Sequence, residues 1–287
     1  MPTIKRSDQT FLGYWMCAVP DGPMPDAAPS SVDTIALAFA VNASVDGQDT
    51  IRLNYLTTNY PAEAIRASAK ALQARGKKVV MSINGGGANF PGHPGGWGNL
   101  DPGQYAANVA AIVIRDWGLD GVDLDNEGPY QPNDNFVEVI RALRAEMGPD
   151  ALLTLPVYLG TSRDAYLAKV ADQISYVSTM AYWLDFENQL ALYRQYADVV
   201  GDEKVAIGVA YTEDDRPGGT PLAAVPKLAA WDPANGRKAG MMLWTTNGGT
   251  PAQIKSWCAA IADNLPPNTG VGAQPAAPLA RPAATAP

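Results

Sequence analysis

Asp120-Gly-Val-Asp-Leu-Asp-Asn-Glu127 sets four acidic side chains within eight residues, directly behind an apolar run of helical period. Read as a strand, its period-two alternation sends Val122 and Leu124 to one face and Asp123, Asp125 and Glu127 to the other. Successive carboxyls on that face stand roughly 7 Å apart. Like charges at that spacing repel, so at least one is expected to titrate high and keep its proton near neutrality. A protonated carboxyl beside ionised ones is the equipment of general acid catalysis. Two plainer readings compete. A solvated acidic loop leaves the alternating Val and Leu without a reason. A calcium loop starting at Asp123 fails at its twelfth position, where Asp134 stands in place of a bidentate glutamate.

Outward from this stretch, strand-like and helix-like segments alternate. Short apolar runs at 10–17, 34–41, 78–83, 121–125, 152–158, 176–182, 205–211 and 240–245 are strand candidates. Runs of helical period at 62–75, 104–116, 135–147, 189–199 and 251–264 fall between most of them. Strands alternating with helices imply βαβ units and a parallel sheet. Eight repetitions in 287 residues predict an α/β fold, a single-domain (β/α)8 TIM barrel over residues 1–265. A doubly wound open sheet is the alternative, but no G-x-G-x-x-G turn follows the first strand. The Pro-rich crossover at 18–31 is a poor helix and predicts an irregular or very short element. Residues 266–287, mostly Pro, Ala, Gly and Thr, read as a disordered tail or linker.

The net charge of -8 disfavours nucleic acid and anionic membrane surfaces as partners, because both would be repelled. A neutral substrate is accommodated more easily. No apolar run approaches the roughly 20 residues of a membrane span. Residues 1–10 are polar and lack the apolar core of a secretion signal, so either the protein stays inside or a signal has been removed; secretion is the expectation, with a cytoplasmic location left open. Cys17 and Cys258 are too few for a disulfide framework and are expected to be buried free thiols, although a barrel could bring its first and last units together. The single histidine, His93, lies in a Pro/Gly loop, which leaves no zinc cluster and disfavours a Ser-His pair. No metal or cofactor is expected.

In such a barrel the reactive groups collect at the C-terminal ends of the strands. Glu127 lies just past the fourth barrel strand. The other strand ends offer Tyr14 and Trp15, Phe39, Ser82, Tyr158, Tyr182 and Trp183, Tyr211, and Trp244. A single aromatic at such a place is usually core. Several together at the mouth form flat apolar faces with polar tips, on which sugar rings stack. Trp97, in the Gly/Pro-rich loop 85–99, is expected to join them.

These residues together resemble glycoside hydrolase family 18, the chitinases and related endo-β-N-acetylglucosaminidases. The family signature D-G-x-D-x-D-x-E is matched at every specified position by Asp120 to Glu127. Gly13-Tyr-Trp15 looks like the first-strand motif, Ala38-Phe-Ala40 the second, and Lys78 to Gly87 the third-strand serine and glycine motif. Met180-Ala-Tyr182 looks like the sixth-strand M-x-Y and Gly240 to Trp244 the eighth-strand tryptophan motif.

The resemblance implies a retaining mechanism in which the substrate's own 2-acetamido oxygen attacks the anomeric carbon. Glu127 would then protonate the leaving oxygen and activate water. Asp125 would hold the acetamide N–H, and Asp123 would sit deeper and share a proton with Asp125. Tyr182 would donate to the acetamido oxygen, Trp244 would floor the cleaving subsite, and Tyr14 and Ser82 would support the carboxylates. Three positions depart from the family pattern: Asn126 where an aromatic or aliphatic residue is frequent, Trp183 where Asp or Asn commonly follows M-x-Y, and Asn84 where glycine is usual. Roughly 30 residues between the seventh and eighth strands are too few for an insertion domain, which favours an open groove and attack within a chain. The expected partner is an oligo- or polysaccharide containing N-acetylglucosamine, bound by a monomer. The expected activity is that of a chitinase cleaving β-1,4 bonds. Release of N-glycans by an endo-β-N-acetylglucosaminidase is the alternative, and a non-catalytic sugar-binding protein a further one that the intact Glu127 argues against.

Overall fold

The computed structural model describes residues 7–85, 96–127, 134–158, 160–211 and 219–267. His93 and most of the C-terminal stretch 266–287 lie outside the described residues. Alternation decides the architecture. In β5 (Gly121–Asp125) Val122 and Leu124 join the core beneath the helices, while Asp123 and Asp125 turn to the barrel axis. Both apolar side chains are fully buried, worth roughly 1.5–3 kcal/mol each.

The same division runs around the sheet. The strands are β1 (Thr10–Met16), β2 (Thr34–Val45), β3 (Gln48–Arg52), β4 (Lys78–Asn84), then β5, β6 (Leu152–Val157), β7 (Tyr176–Thr179), β8 (Val205–Ala210) and β9 (Gly240–Trp244). Eight of them pair in parallel in the order β1-β9-β8-β7-β6-β5-β4-β2, and pairing of β1 with β2 closes the barrel. Inside it pack Leu12, Tyr14, Ala36, Ala38, Val80, Tyr176 and Met242. Outside it lie α1 (Ala62–Ala74), α2 (Pro102–Ala110), α3 (Asp134–Met147), α4 (Phe186–Val200), α5 (Val225–Ala230) and α6 (Pro251–Ala262). Helix starts follow side-chain chemistry: Asp101 and Asp185 cap α2 and α4, and Thr250 with Gln253 forms a capping box on α6. Past its end α2 widens into π-type turns over Ala111–Asp116, within the helix expected at 104–116.

Among the described residues, two crossovers form a 3-10 turn where the barrel pattern has a full helix. Between β1 and β2 only a 3-10 turn forms at Pro25–Ala27, in a segment whose prolines remove backbone donors. Between β6 and β7 a 3-10 turn at Ala165–Lys169 takes the helix's place. The strand β3 was not anticipated. It folds back on the far half of β2 through Asp46 and Gly47, both at positive φ, as a two-residue hairpin turn requires. Glycine at the entry of β5 and β9 is a steric demand: a Cβ on Gly121 would stand 1.9 Å from the Leu152 carbonyl oxygen, and one on Gly240 1.9 Å from that of Thr10. Cys17 and Cys258 are buried and free.

Candidate active site

Register builds the site. Asp123 of β5 stands level with Ser82 of β4 and Thr154 of β6, and one step higher Asp125 stands level with Asn84. Tyr14 of β1 reaches across the barrel from beside Trp244 of β9.

Asp123 is fully buried and saturated. Its Oδ1 accepts from the Thr154 hydroxyl at 2.6 Å, and its Oδ2 accepts from Ser82 at 2.7 Å and Tyr14 at 2.8 Å. Burial pushes its pKa up to about 6, against the pull of the three hydroxyls. Asp125 is equally buried. Its Oδ2 accepts from Asn84 Nδ2 at 2.9 Å, while no amide or hydroxyl of the described residues donates to its Oδ1. Burial, then the charges of Glu127 and Asp123, raise the Asp125 carboxyl well above the ordinary range; the Asn84 amide opposes the rise and a hydrogen bond to the Glu127 carboxyl adds to it. Glu127 opens to the mouth, yet the walls around it strip enough water from its carboxyl to raise it as well, and its contact with Asp125 opposes that rise. Asp125 and Glu127 therefore titrate as a pair. The sequence argument for a retained proton rests on repulsion alone; here burial is the first cause of each rise, and repulsion follows it at Asp125. The side-chain bonds of Asp123 run to the Tyr14, Ser82 and Thr154 hydroxyls, and that of Asp125 Oδ2 to Asn84.

Above the carboxyls lies a cleft of about 180 Å³ lined by Tyr14, Phe39, Asp125, Glu127, Tyr182 and Trp244, with Pro156, Met180 and Trp183 completing the wall. The Trp244 ring lies near-parallel to Phe39, 5.7 Å away, and takes the edge of Tyr14 at 5.5 Å. Tyr182 places its hydroxyl 3.8 Å from the Met242 sulfur, and burial followed by the charge of the three carboxyls pushes its pKa well up, so it stays a donor. Trp183 is 55% exposed at the rim, edge-on to both Tyr158 and Tyr182 at 6.2 Å.

The structure thus brings together Glu127, Asp125, Asp123, Tyr182, Tyr14, Ser82, Trp244, Trp183 and Tyr158. Two candidates lie elsewhere. Trp97, expected at the mouth, is 2% exposed and packed between Phe136 and Tyr105; aromatic packing from α2 and α3 holds it in the core. Tyr211 is half-buried with its ring edge-on to Trp257 of α6, outside the set that lines the cleft. Ser82 is fully buried and touches Asp123, so it serves the carboxyl and has no access to a ligand. Sequence reasoning missed Thr154, whose signal was its place on the inward alternation of the next strand, and it saw Asn84 as a departure without a partner.

A closed parallel barrel with carboxyls stacked at its strand ends defines an α/β-barrel protein whose cleft is built around acid groups. The comparisons with known proteins add the family. Residues 26–243 match the family model described as the endo-β-N-acetylglucosaminidase EndoS TIM-barrel domain. An endo-β-N-acetylglucosaminidase from Flavobacterium sp. is 34% identical over 126 residues, 39% of this chain and 38% of that protein. Exochitinase 1 from Streptomyces olivaceoviridis is 33% identical over 152 residues, 44% of this chain and 24% of that protein. The matched segment therefore spans well under half the length of either relative. A GH18 chitinase from Pseudoalteromonas aurantia shares the fold at a TM-score of 0.69 and 19% identity, covering 89% of this chain and 100% of that one. The chain belongs to glycoside hydrolase family 18.

Proposed function

We propose that this chain hydrolyses the β-1,4 bond between two N-acetylglucosamine residues, with retention and through the substrate's own acetamido group. The observation that carries this reading is Asp125: a buried carboxyl at the cleft, bonded to a raised Glu127, whose Oδ1 receives no amide or hydroxyl from the described residues.

An acetamide N–H donated to that oxygen favours ionised Asp125. The proton held by the pair then resides on Glu127, at the cleft mouth where a leaving oxygen would lie. The acetamido oxygen attacks the anomeric carbon as the bond to the leaving oxygen breaks, and Glu127 transfers its proton to that oxygen. The resulting oxazolinium ion carries its positive charge beside ionised Asp125. Glu127, now ionised, takes a proton from an incoming water. The hydroxyl adds to the anomeric carbon, the ring opens to regenerate the acetamide, and Glu127 is protonated again. Tyr182 supports the acetamido oxygen as donor, and Trp244 offers a face to the sugar ring. Asp123, held by three hydroxyls, contributes a fixed charge below.

Chitin is the substrate read from the sequence motifs. The core of N-glycans contains the same bond and is the second reading, favoured by the family model and by the Flavobacterium relative. The test is mass spectrometry of products after incubation with N-acetylglucosamine hexamer and a high-mannose glycoprotein together. Shorter oligomers with intact glycoprotein establish chitin-type cleavage, and released glycan with intact hexamer the N-glycan reading. Both substrates intact would defeat the proposal.

A further inference from the structure

Asn84 occupies a position where glycine is usual in the family, and it is not idle. It is 4% exposed, ends β4 level with Asp125, and donates its amide to Asp125 Oδ2 at 2.9 Å. The backbone reinforces the join, because the Gly85 N–H donates to the Asp125 carbonyl at 2.9 Å. Asp123, the other neighbour toward which Asp125 could turn, has both oxygens engaged by Tyr14, Ser82 and Thr154. Asn84 does not line the cleft, whereas Asp125 does.

We propose that Asn84 is a positioning residue: its amide holds Asp125 turned toward β4 and away from Asp123, so that Oδ1 faces the cleft before substrate arrives. With Oδ2 pinned by Asn84 and Oδ1 receiving no amide or hydroxyl from the described residues, the carboxyl is held in one orientation in which to meet an incoming N–H. Substrate binding then requires no rotation of Asp125. The same amide also favours the ionised form of Asp125, against the burial, the neighbouring charges and the Glu127 bond that raise it. Among the described residues, the titratable groups facing Asp125 are Asp123, Glu127, Tyr14, Tyr182 and Tyr158. None of them is a cation that could replace the amide.

This inference deepens the proposed function, and its test separates the two. Asn84→Leu keeps the branching of the side chain and removes the donor; Asn84→Ala serves if the leucine is not accommodated. The first readout needs no substrate. Carbon-13 NMR titration of the aspartate carboxyls follows Asp125, assigned through Asp125→Asn, in the folded protein with and without the Asn84 substitution. The Asp125 resonance is expected to titrate at higher pH in the variant, and an unmoved titration overturns the proposal. The second readout is hydrolysis of N-acetylglucosamine hexamer and the high-mannose glycoprotein. In the variant kcat on the cleaved substrate is expected to fall by about tenfold or more, toward the roughly 100-fold that a small misplacement of a reacting group can cost. KM should change less than about threefold, with both limbs of the pH–rate profile displaced to higher pH. An unshifted profile with kcat within about twofold of the parent would overturn the positioning role. A parent protein inert on both substrates would defeat the functional reading alone, leaving the Asp125 titration to decide on Asn84.

Discussion

The two ends of β5 treat the same residue type in opposite ways. At the entry, Asp120 accepts from the Val79 N–H at 2.9 Å, Gln73 Nε2 at 2.9 Å and Lys78 Nζ at 2.8 Å. At the entry of β9, on the same end of the barrel, the buried Lys238 is surrounded by acceptors, the carbonyls of Ala229 and Trp231 and the Asp232 carboxylate. Burial pulls its pKa down to about 8, with the Asp232 charge opposing. At the exit, Asp123, Asp125 and Glu127 have no lysine or arginine bonded to them among the described residues, all three titrate high, and Asp125 Oδ1 receives no amide or hydroxyl from those residues. The entry stabilises the barrel by completing hydrogen bonds and charges. The exit holds groups in an incomplete state that a ligand can complete, which is the division of labour expected of this architecture.

The sharpest way to break that contrast is to neutralise one carboxyl at each end. Glu127→Gln is expected to lower turnover by about 100- to 10,000-fold, the range of a positioned acid-base group, with thermal unfolding unchanged. Near-parent turnover would remove the exit from the chemistry.

The pH dependence of stability comes next. Asp123 ionises at about 6 in the folded protein against 3.8 for a free aspartate. Its contribution to stability is therefore full below the lower value and is lost as pH rises through about 6. Asp123→Asn should flatten that fall by on the order of 3 kcal/mol in denaturant unfolding. An unaltered pH profile would show that Asp123 is not the buried group responsible.

Asp120→Ala tests the other end. Losing a partner for three donors should cost about 1–3 kcal/mol in unfolding free energy, while kcat per folded molecule stays within about twofold. A large fall in kcat with normal stability would erase the distinction between the ends. The smallest effect belongs to the rim: Trp183→Ala should raise KM by about threefold to tenfold, on the scale of ~1 kcal/mol for one aromatic contact, and leave kcat nearly unchanged.

Much of this was legible in the chain. Strands with clean alternation were read to within a few residues, and Val122 with Leu124 against Asp123 with Asp125 gave the inward face of β5 directly. The run at 176–182 was read too long: β7 stops at Thr179, the Met180 N–H makes one further bond to the Val157 carbonyl at 2.7 Å, and Met180, Tyr182 and Trp183 line the cleft. The strand β3 was overlooked because Gln48–Arg52 is largely polar, although the Asp46-Gly47 pair signals a hairpin. Trp97 misled because a Gly/Pro-rich loop suggests exposure, whereas its surroundings are supplied by Tyr105 and Phe136 from two helices.

The sequence by itself determined the eight-fold alternation, the face on which each carboxyl of the acidic stretch would lie and the family signature, because periodicity and motif spacing are local. Only the tertiary structure decided that Asp123 meets three hydroxyls, that Asp125 meets Asn84, and that Trp97 is core while Trp183 is rim. Those outcomes depend on the register between strands and on packing between helices distant in sequence, and no local pattern contains either.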